Sequence, residues 1–121
     1  MVLVDTSIWV GHFAKRNATL STLLETTEVY CHPFVIGELA CGYLQKRNEI
    51  LQLLHALPKT TVAEEKEILV FIENHRLYGL GIGLIDVHLL ASAALSKIFI
   101  WTLDKKLSNI AGKLNILYQP V

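Results

Sequence analysis

The sequence predicts an α/β protein, a three-layer α/β/α sandwich around a short, mainly parallel sheet of five strands. Short runs rich in β-branched and aromatic residues alternate with longer stretches whose apolar residues recur at helical spacing. The run Ile98–Thr102 is apolar without alternation, which is typical of a strand covered on both faces. The chain has 121 residues, of which 52% are hydrophobic, and we expect one domain over residues 1–121.

The first part of the chain predicts two short strands and three helices. Val2–Val4 is an apolar run, and Asp5-Thr6-Ser7 after it are residue types that favour a helix start. Leucines at helical spacing predict a helix over 18–25, and a second strand follows at 29–31. A proline suited to a first helical turn opens the helix that we expect over 33–44.

The middle of the chain predicts two more helices around a weak strand, and then a buried helix. The amphipathic helix 50–57 ends before a proline, and 60–63 is the weak third strand. The helix 64–77 opens with glutamates, which suit a helix amino end. A loop with three glycines, 79–83, precedes the helix 84–96, which is apolar nearly all round and therefore central.

The last part predicts the clearest strand, 98–102, followed by an amphipathic helix over 107–114 and a short strand at 116–118. Because strands and helices alternate along the whole chain, the sheet is expected to be parallel and covered on both faces. No internal repeat or linker is visible.

Composition excludes several classes of protein. The 11 basic residues balance the 11 acidic ones, so net charge does not indicate a nucleic-acid binder. No stretch has the length of apolar sequence that a membrane helix needs, and no signal peptide is visible, so we expect a cytoplasmic protein. Cys31 and Cys41 are then expected to be reduced, buried thiols.

Four carboxylates lie in apolar sequence contexts. They are the chain's only three aspartates and one glutamate: Asp5, Asp86, Asp104 and Glu38. Buried carboxylates without partners are unfavourable, so we expect them to be neutralised, paired or bound to a cation. Asp5 and Asp104 follow strands, where functional groups of parallel sheets gather. A helix of about 16 Å and a strand of about the same length would return Asp104 to the level of Asp86.

Simpler interpretations exist for each acid. Asp5 and Asp104 could be plain helix N-caps, Asp86 could pair with Arg76 or a lysine, and Glu38 could face solvent. The histidines lack the spacing of a zinc site, and the glycines of 79–83 do not match a dinucleotide-binding pattern. A phosphoacceptor receiver domain is disfavoured, because no aspartate ends a middle strand.

The chain resembles the PIN-domain family and, within it, the VapC-type ribonuclease toxins. The matching motifs occur in order along the whole chain: Val4-Asp5-Thr6-Ser7, Gly37-Glu38-Leu39, Ile85-Asp86-Val87-His88-Leu89-Leu90-Ala91 and Thr102-Leu103-Asp104-Lys105-Lys106-Leu107. Each motif alone is weak, and the four in order are specific. One departure is that no carboxylate follows Asp104, where some relatives carry a further acid or amide; only Asn109 stands there.

This resemblance implies a PIN-like fold and an endoribonuclease that depends on Mg²⁺, with Mn²⁺ as a substitute. The implied catalytic residues are the acidic quartet, with Asp5, Asp86 and Asp104 as metal ligands. Asp5 and Asp104 would carry the principal ion, and Asp86 and Glu38 would orient it or position the attacking water. Substrate-binding groups would be the neighbouring hydroxyls and two lysines: Thr6, Ser7, Thr102, Lys105 and Lys106. The implied partners are RNA, a VapB-type antitoxin and a second copy in a homodimer.

Two other functions stay open at this point. A non-catalytic PIN-like module would act only through its protein partner, although such a module would be expected to lose some of the acids. The same acidic quartet would also serve a DNA nuclease, because the preference for RNA comes only from the resemblance.

Overall fold

A computed structural model of the protein describes residues 1–120 and contains a parallel sheet of three strands. The strands are β1 (Val2–Val4), β2 (Val29–Tyr30) and β3 (Phe99–Trp101), and their order in the sheet is β2-β1-β3. β1 is the central strand and is buried along its whole length, as its unbroken apolar run predicts. Residue 121, the last residue of the expected domain, lies outside the described residues.

The prediction of five strands was wrong, since the described residues form three. The segment 60–63 adds only one bridge, between Lys59 and Cys31, and the segment 116–118 adds only one, between Leu117 and Ile100. Pro58 has no N–H to extend the first pairing. The carbonyl of Thr61 is also taken by a side chain, because Ser92 Oγ donates to it at 2.7 Å.

Seven helices surround the sheet within residues 1–120. They are α1 (Thr6–Ala14), α2 (Ala18–Glu25), α3 (Pro33–Cys41), α4 (Arg47–Ala56), α5 (Glu65–His75), α6 (Leu84–Ser96) and α7 (Lys105–Lys113). α3 contacts both α1 and α4, whereas α6 packs against both α5 and β3. The α/β class and the parallel sheet are therefore confirmed.

The helix predicted as central is the most buried one. α6 is buried without interruption from Val87 to Ala93, so its apolar surface contacts protein on all sides over two turns. The buried apolar side chains of the protein form one cluster, which contains the whole of β1 and the indole of Trp9. None of the helices in residues 1–120 is long and apolar enough to cross a membrane.

Candidate functional site

Two of the four acids follow neighbouring strands of the sheet. Asp5 comes directly after β1 and is the N-cap of α1, and Asp104 follows β3 and is the N-cap of α7. The Asp5 N–H donates to the carbonyl of Trp101 at 3.0 Å, which joins the two strand ends. Because parallel neighbours end at the same edge of a sheet, both carboxylates lie at that edge. Both also cap their helices, so the simpler interpretation is correct without excluding a shared site.

The Asp5 carboxylate is held by three hydrogen bonds. The Thr6 N–H donates to Oδ1 at 2.7 Å, while the hydroxyls of Ser7 and Thr102 donate to Oδ2 at 2.9 and 2.6 Å. Asp5 is only 7% exposed, so these donors replace water around a nearly buried charge. The orientation of this carboxylate is therefore set by β1, α1 and the end of β3 together.

Two of the residues that donate to Asp5, Thr6 and Thr102, also form hydrogen bonds with two other acids. Glu38, in the second turn of α3, accepts a hydrogen bond from Thr6 Oγ1 at 2.7 Å. Thr102 Oγ1 accepts from the Asp104 N–H at 3.0 Å, and the Leu103 N–H donates to Ser7 Oγ at 3.0 Å. Thr6, Ser7 and Thr102 therefore hold the acids in place; their assignment to substrate binding stays a prediction.

Asp86 is linked to Asp5, Glu38 and Asp104 by the effect of their charges on its carboxyl group. It lies in the first turn of α6 and is half-buried. Burial raises the pKa of its carboxyl group, the charges of Asp5, Asp104 and Glu38 raise it further, and the result is a pKa of about 6. Only neighbouring charges act in this way, so the fold brings all four acids into one electrostatic cluster, which we call the acidic cluster.

The acidic cluster is more open than the sequence suggested. Glu38 and Asp104 are exposed, so the expectation that all four acids are sequestered was wrong for these two. Within residues 1–120, no three acidic, histidine or cysteine side chains are close enough to form a ready metal cage. Mutual repulsion opposes such crowding, and Mg²⁺ does not require it, because this ion retains several waters and uses one or two carboxylates.

The two lysines predicted to bind substrate are exposed in the first turn of α7, next to Asp104. Lys106 reaches across to the glycine loop before α6. A Cβ atom placed on Gly81 would lie 2.8 Å from Lys106 Nζ. This contact was not predicted from the sequence, in which the alternation of glycines in residues 79–83 is its only signal.

Other candidate groups lie outside the acidic cluster. His32 and His88 are buried, and the centroids of their rings are 6.3 Å apart. Both cysteines are free, in agreement with the sequence analysis. Cys31 is buried, but Cys41 at the end of α3 is exposed, and the expectation of two buried thiols was wrong for it.

Comparison with known proteins gives consistent matches over most of the chain. The sequence profile of the PIN domain matches residues 2–113. Ribonuclease VapC32 of Mycobacterium tuberculosis, found in two strains, is 43% identical over 108 residues, which are 88% of this chain and 87% of the relative.

Two solved structures share the fold. PAE2754 from Pyrobaculum aerophilum has a TM-score of 0.62 at 16% identity and covers 90% of this chain and 78% of its own. FitAcB from Neisseria gonorrhoeae has a TM-score of 0.61 at 19% identity, with 93% and 94% covered. The sequence match is close and the structural likeness spans the same elements, so this protein belongs to the PIN-domain family, among the VapC-type ribonucleases.

Proposed function

We propose that this protein is a metal-dependent endoribonuclease that hydrolyses RNA phosphodiester bonds in the cytoplasm, as the toxin of a VapBC-type toxin–antitoxin pair. The observation that carries the proposal is the hydrogen-bond network that joins Asp5, Glu38 and Asp104 at one edge of the sheet, through Thr6 and Thr102. RNA as the substrate is supported by the name of the relative, a ribonuclease that is 43% identical.

The side chains of the acidic cluster fit a hard divalent cation. Its donor atoms are carboxylate and hydroxyl oxygens, the ligands that Mg²⁺ prefers, with Mn²⁺ as a substitute. Burial raises the pKa of Asp86, the charges of Asp5, Asp104 and Glu38 raise it further, and a bound cation would offset that repulsion. Asp5, Asp86 and Asp104 would hold the ion. A bound Mg²⁺ supplies a more acidic water and neutralises charge on the reacting phosphate.

The residues of the chain then have distinct tasks. Asp5 is fixed by three donors and therefore provides an oriented carboxylate. Glu38 and Asp104 are exposed, so an RNA substrate could reach both carboxylates. We assign Glu38, which receives the Thr6 hydroxyl, to positioning the attacking water near the phosphate.

The proposal is tested by Asp86→Asn, which removes a charge and keeps the shape of the side chain. We expect cleavage of an unstructured RNA in Mg²⁺ to fall by at least about 100-fold, because the loss of a metal ligand exceeds typical outer-shell effects. Glu73→Gln on α5 is the matched control, since this acid does not act on Asp86. Activity at the wild-type level in folded Asp86→Asn would refute the site.

The same assay separates the two other functions. Cleavage of a DNA oligonucleotide of the same sequence at an equal or higher rate would favour a DNA nuclease. If calorimetry detects no Mn²⁺ binding and neither RNA nor DNA is cleaved, a non-catalytic module would be favoured. Mn²⁺ binding that depends on Asp86 and cleavage of RNA alone are the results that we expect.

We also infer that the protein associates with a VapB-type antitoxin and with a second copy of itself. A groove of about 380 Å³ between α1 and the α3–α4 connection supports a protein partner, because Val10 and Tyr43 in its wall are largely exposed. Light scattering of the isolated protein and of the protein mixed with the product of a neighbouring gene tests both partners. A monomer under both conditions would contradict the inference.

A further inference from the structure

The loop before α6 contains two glycines in the left-handed region of backbone conformation. Gly79 has φ of +71° and Gly81 has φ of +77°, and both values disfavour any residue with a Cβ atom. Their surroundings differ. A Cβ atom on Gly79 would meet nothing within 4 Å, whereas a Cβ atom on Gly81 would lie 2.8 Å from Lys106 Nζ and 3.8 Å from Lys106 Cε. The end of the Lys106 side chain therefore occupies the space that a side chain at position 81 would need.

This contact joins two segments that each lead to an acid. Gly81 lies two residues before Gly83, the N-cap of α6, and the first turn of that helix carries Asp86. Lys106 lies in the first turn of α7, two residues after Asp104. Because the end of Lys106 lies against Gly81, the starts of α6 and α7 are close, and the ammonium group lies between the segments that carry Asp86 and Asp104.

The position of Lys106 is unfavourable for the helix that carries it. The amino end of a helix attracts anions, so a cation there is unfavourable. The first turn of α7 contains Lys105 and Lys106 and no acidic residue. Helix stability therefore does not explain why a lysine is placed there.

The ammonium group is also free of a hydrogen-bonded protein partner. None of the hydrogen bonds of the described residues uses Lys106 Nζ. The end of the Lys106 side chain therefore rests against Gly81 and keeps its charge available to a ligand.

We propose that Gly81 is a positioning residue that seats the ammonium group of Lys106 for one phosphate of the RNA backbone beside the acidic cluster. The inference rests on the proposed ribonuclease function and adds to it the way in which the substrate is aligned. A lysine of this kind neutralises one phosphate and releases its counterions, so it contributes about 0.7 to the slope of log affinity against log salt for a single strand. A side chain at position 81 would displace the ammonium group without filling any buried space.

The experiment compares Gly81→Ala with Gly79→Ala in the full-length protein. Both variants place an alanine at a positive φ, so both carry the same backbone strain, but only the first displaces Lys106. The probe is a fluorescently labelled, unstructured RNA oligonucleotide, and its binding is measured over a series of salt concentrations. We expect Gly81→Ala to bind this RNA at least roughly 3-fold more weakly than Gly79→Ala, with a raised KM and a nearly unchanged kcat in the cleavage assay.

Lys106→Gln gives a second measurement that does not depend on the backbone of the loop. We expect the slope of log affinity against log salt to become shallower by about 0.7, the value for one phosphate of a single strand. In the Lys106→Gln background, Gly81→Ala should cause no further loss beyond that of Gly79→Ala, because the two residues act through one contact.

Three results would overturn the inference: equal loss in the two alanine variants, a loss at Gly81 that persists without Lys106, or a salt slope that Lys106→Gln leaves unchanged. If Gly81→Ala does not fold, the salt slope of Lys106→Gln decides alone. A different result refutes the proposed function, namely RNA cleavage at the wild-type level by Asp86→Asn. This variant keeps Lys106, so the salt dependence of its RNA binding still tests whether Lys106 contacts a phosphate.

Discussion

His32 should make the stability of the fold depend on pH. Its ring is fully buried at the start of α3, where Nδ1 accepts a hydrogen bond from the Phe34 N–H at 2.9 Å. The neutral ring therefore carries its proton on Nε2, which has no hydrogen-bond partner among the described residues. Burial, and to a smaller extent the charge of His88 when protonated, lowers the pKa of His32 from 6.5 to about 4.

The size of the effect follows from these two pKa values. Between about pH 6.5 and about pH 4, the unfolded chain binds a proton that the folded protein does not, so stability falls as the pH is lowered through this window. Each unit of pKa difference is worth about 1.4 kcal/mol, and near pH 5 the loss from His32 amounts to about 2 kcal/mol relative to about pH 8. A typical domain is stable by only about 5–15 kcal/mol, so this loss is measurable.

The assay is urea unfolding of the wild-type protein and of His32→Asn near pH 5 and near pH 8. Asparagine offers an amide oxygen to the same N–H but does not titrate. The other titrating groups, among them His88 and Asp86, are common to both proteins and largely cancel in the comparison. We expect the pH-dependent loss to be smaller in His32→Asn by about 2 kcal/mol. Stability curves that run parallel for the two proteins would refute the reasoning.

Two further predictions concern Thr102 and the cysteines. Thr102→Val removes the hydroxyl that donates to Asp5 and accepts from the Asp104 N–H, so the free energy of unfolding measured in urea should fall by about 2–3 kcal/mol, and Thr102→Ser should restore most of it. A loss no larger for valine than for serine would contradict this. Burial raises the pKa of the Cys31 thiol to about 11, so alkylation followed by mass spectrometry should label the exposed Cys41 in the native protein and Cys31 only after unfolding. Equal labelling of both thiols under native conditions would show that the β2–α3 junction opens.

The elements that were predicted correctly are those decided by local pattern. The nearly uniform apolar character of α6 and the continuous β-branched and aromatic run around β3 identified both elements. The segment 60–63 was predicted as a weak strand and forms none, and the Thr61 carbonyl accepts a hydrogen bond from Ser92 in α6 instead. Such tertiary competition for a backbone carbonyl is not visible in the local sequence.

The candidate site was predictable in its members but not in its geometry. Carboxylates in apolar contexts identified the acids, since such positions are rare for charged residues. Local apolarity did not predict that Glu38 and Asp104 would be exposed, because exposure depends on which helix face turns outward. The contact of Lys106 with Gly81 joins segments far apart along the chain, and only the folded structure shows it.

The order of strands in the sheet has a consequence for the time at which activity can arise during translation. The central strand comes from residues 2–4, but one of its two neighbours comes from residues 99–101. A nascent chain that has not yet released β3 from the ribosome has no Thr102 to orient Asp5 and no Asp104 beside it. Contacts of such long sequence separation form late, so the acidic cluster is assembled only after the segment from β3 to the start of α7 has been synthesised.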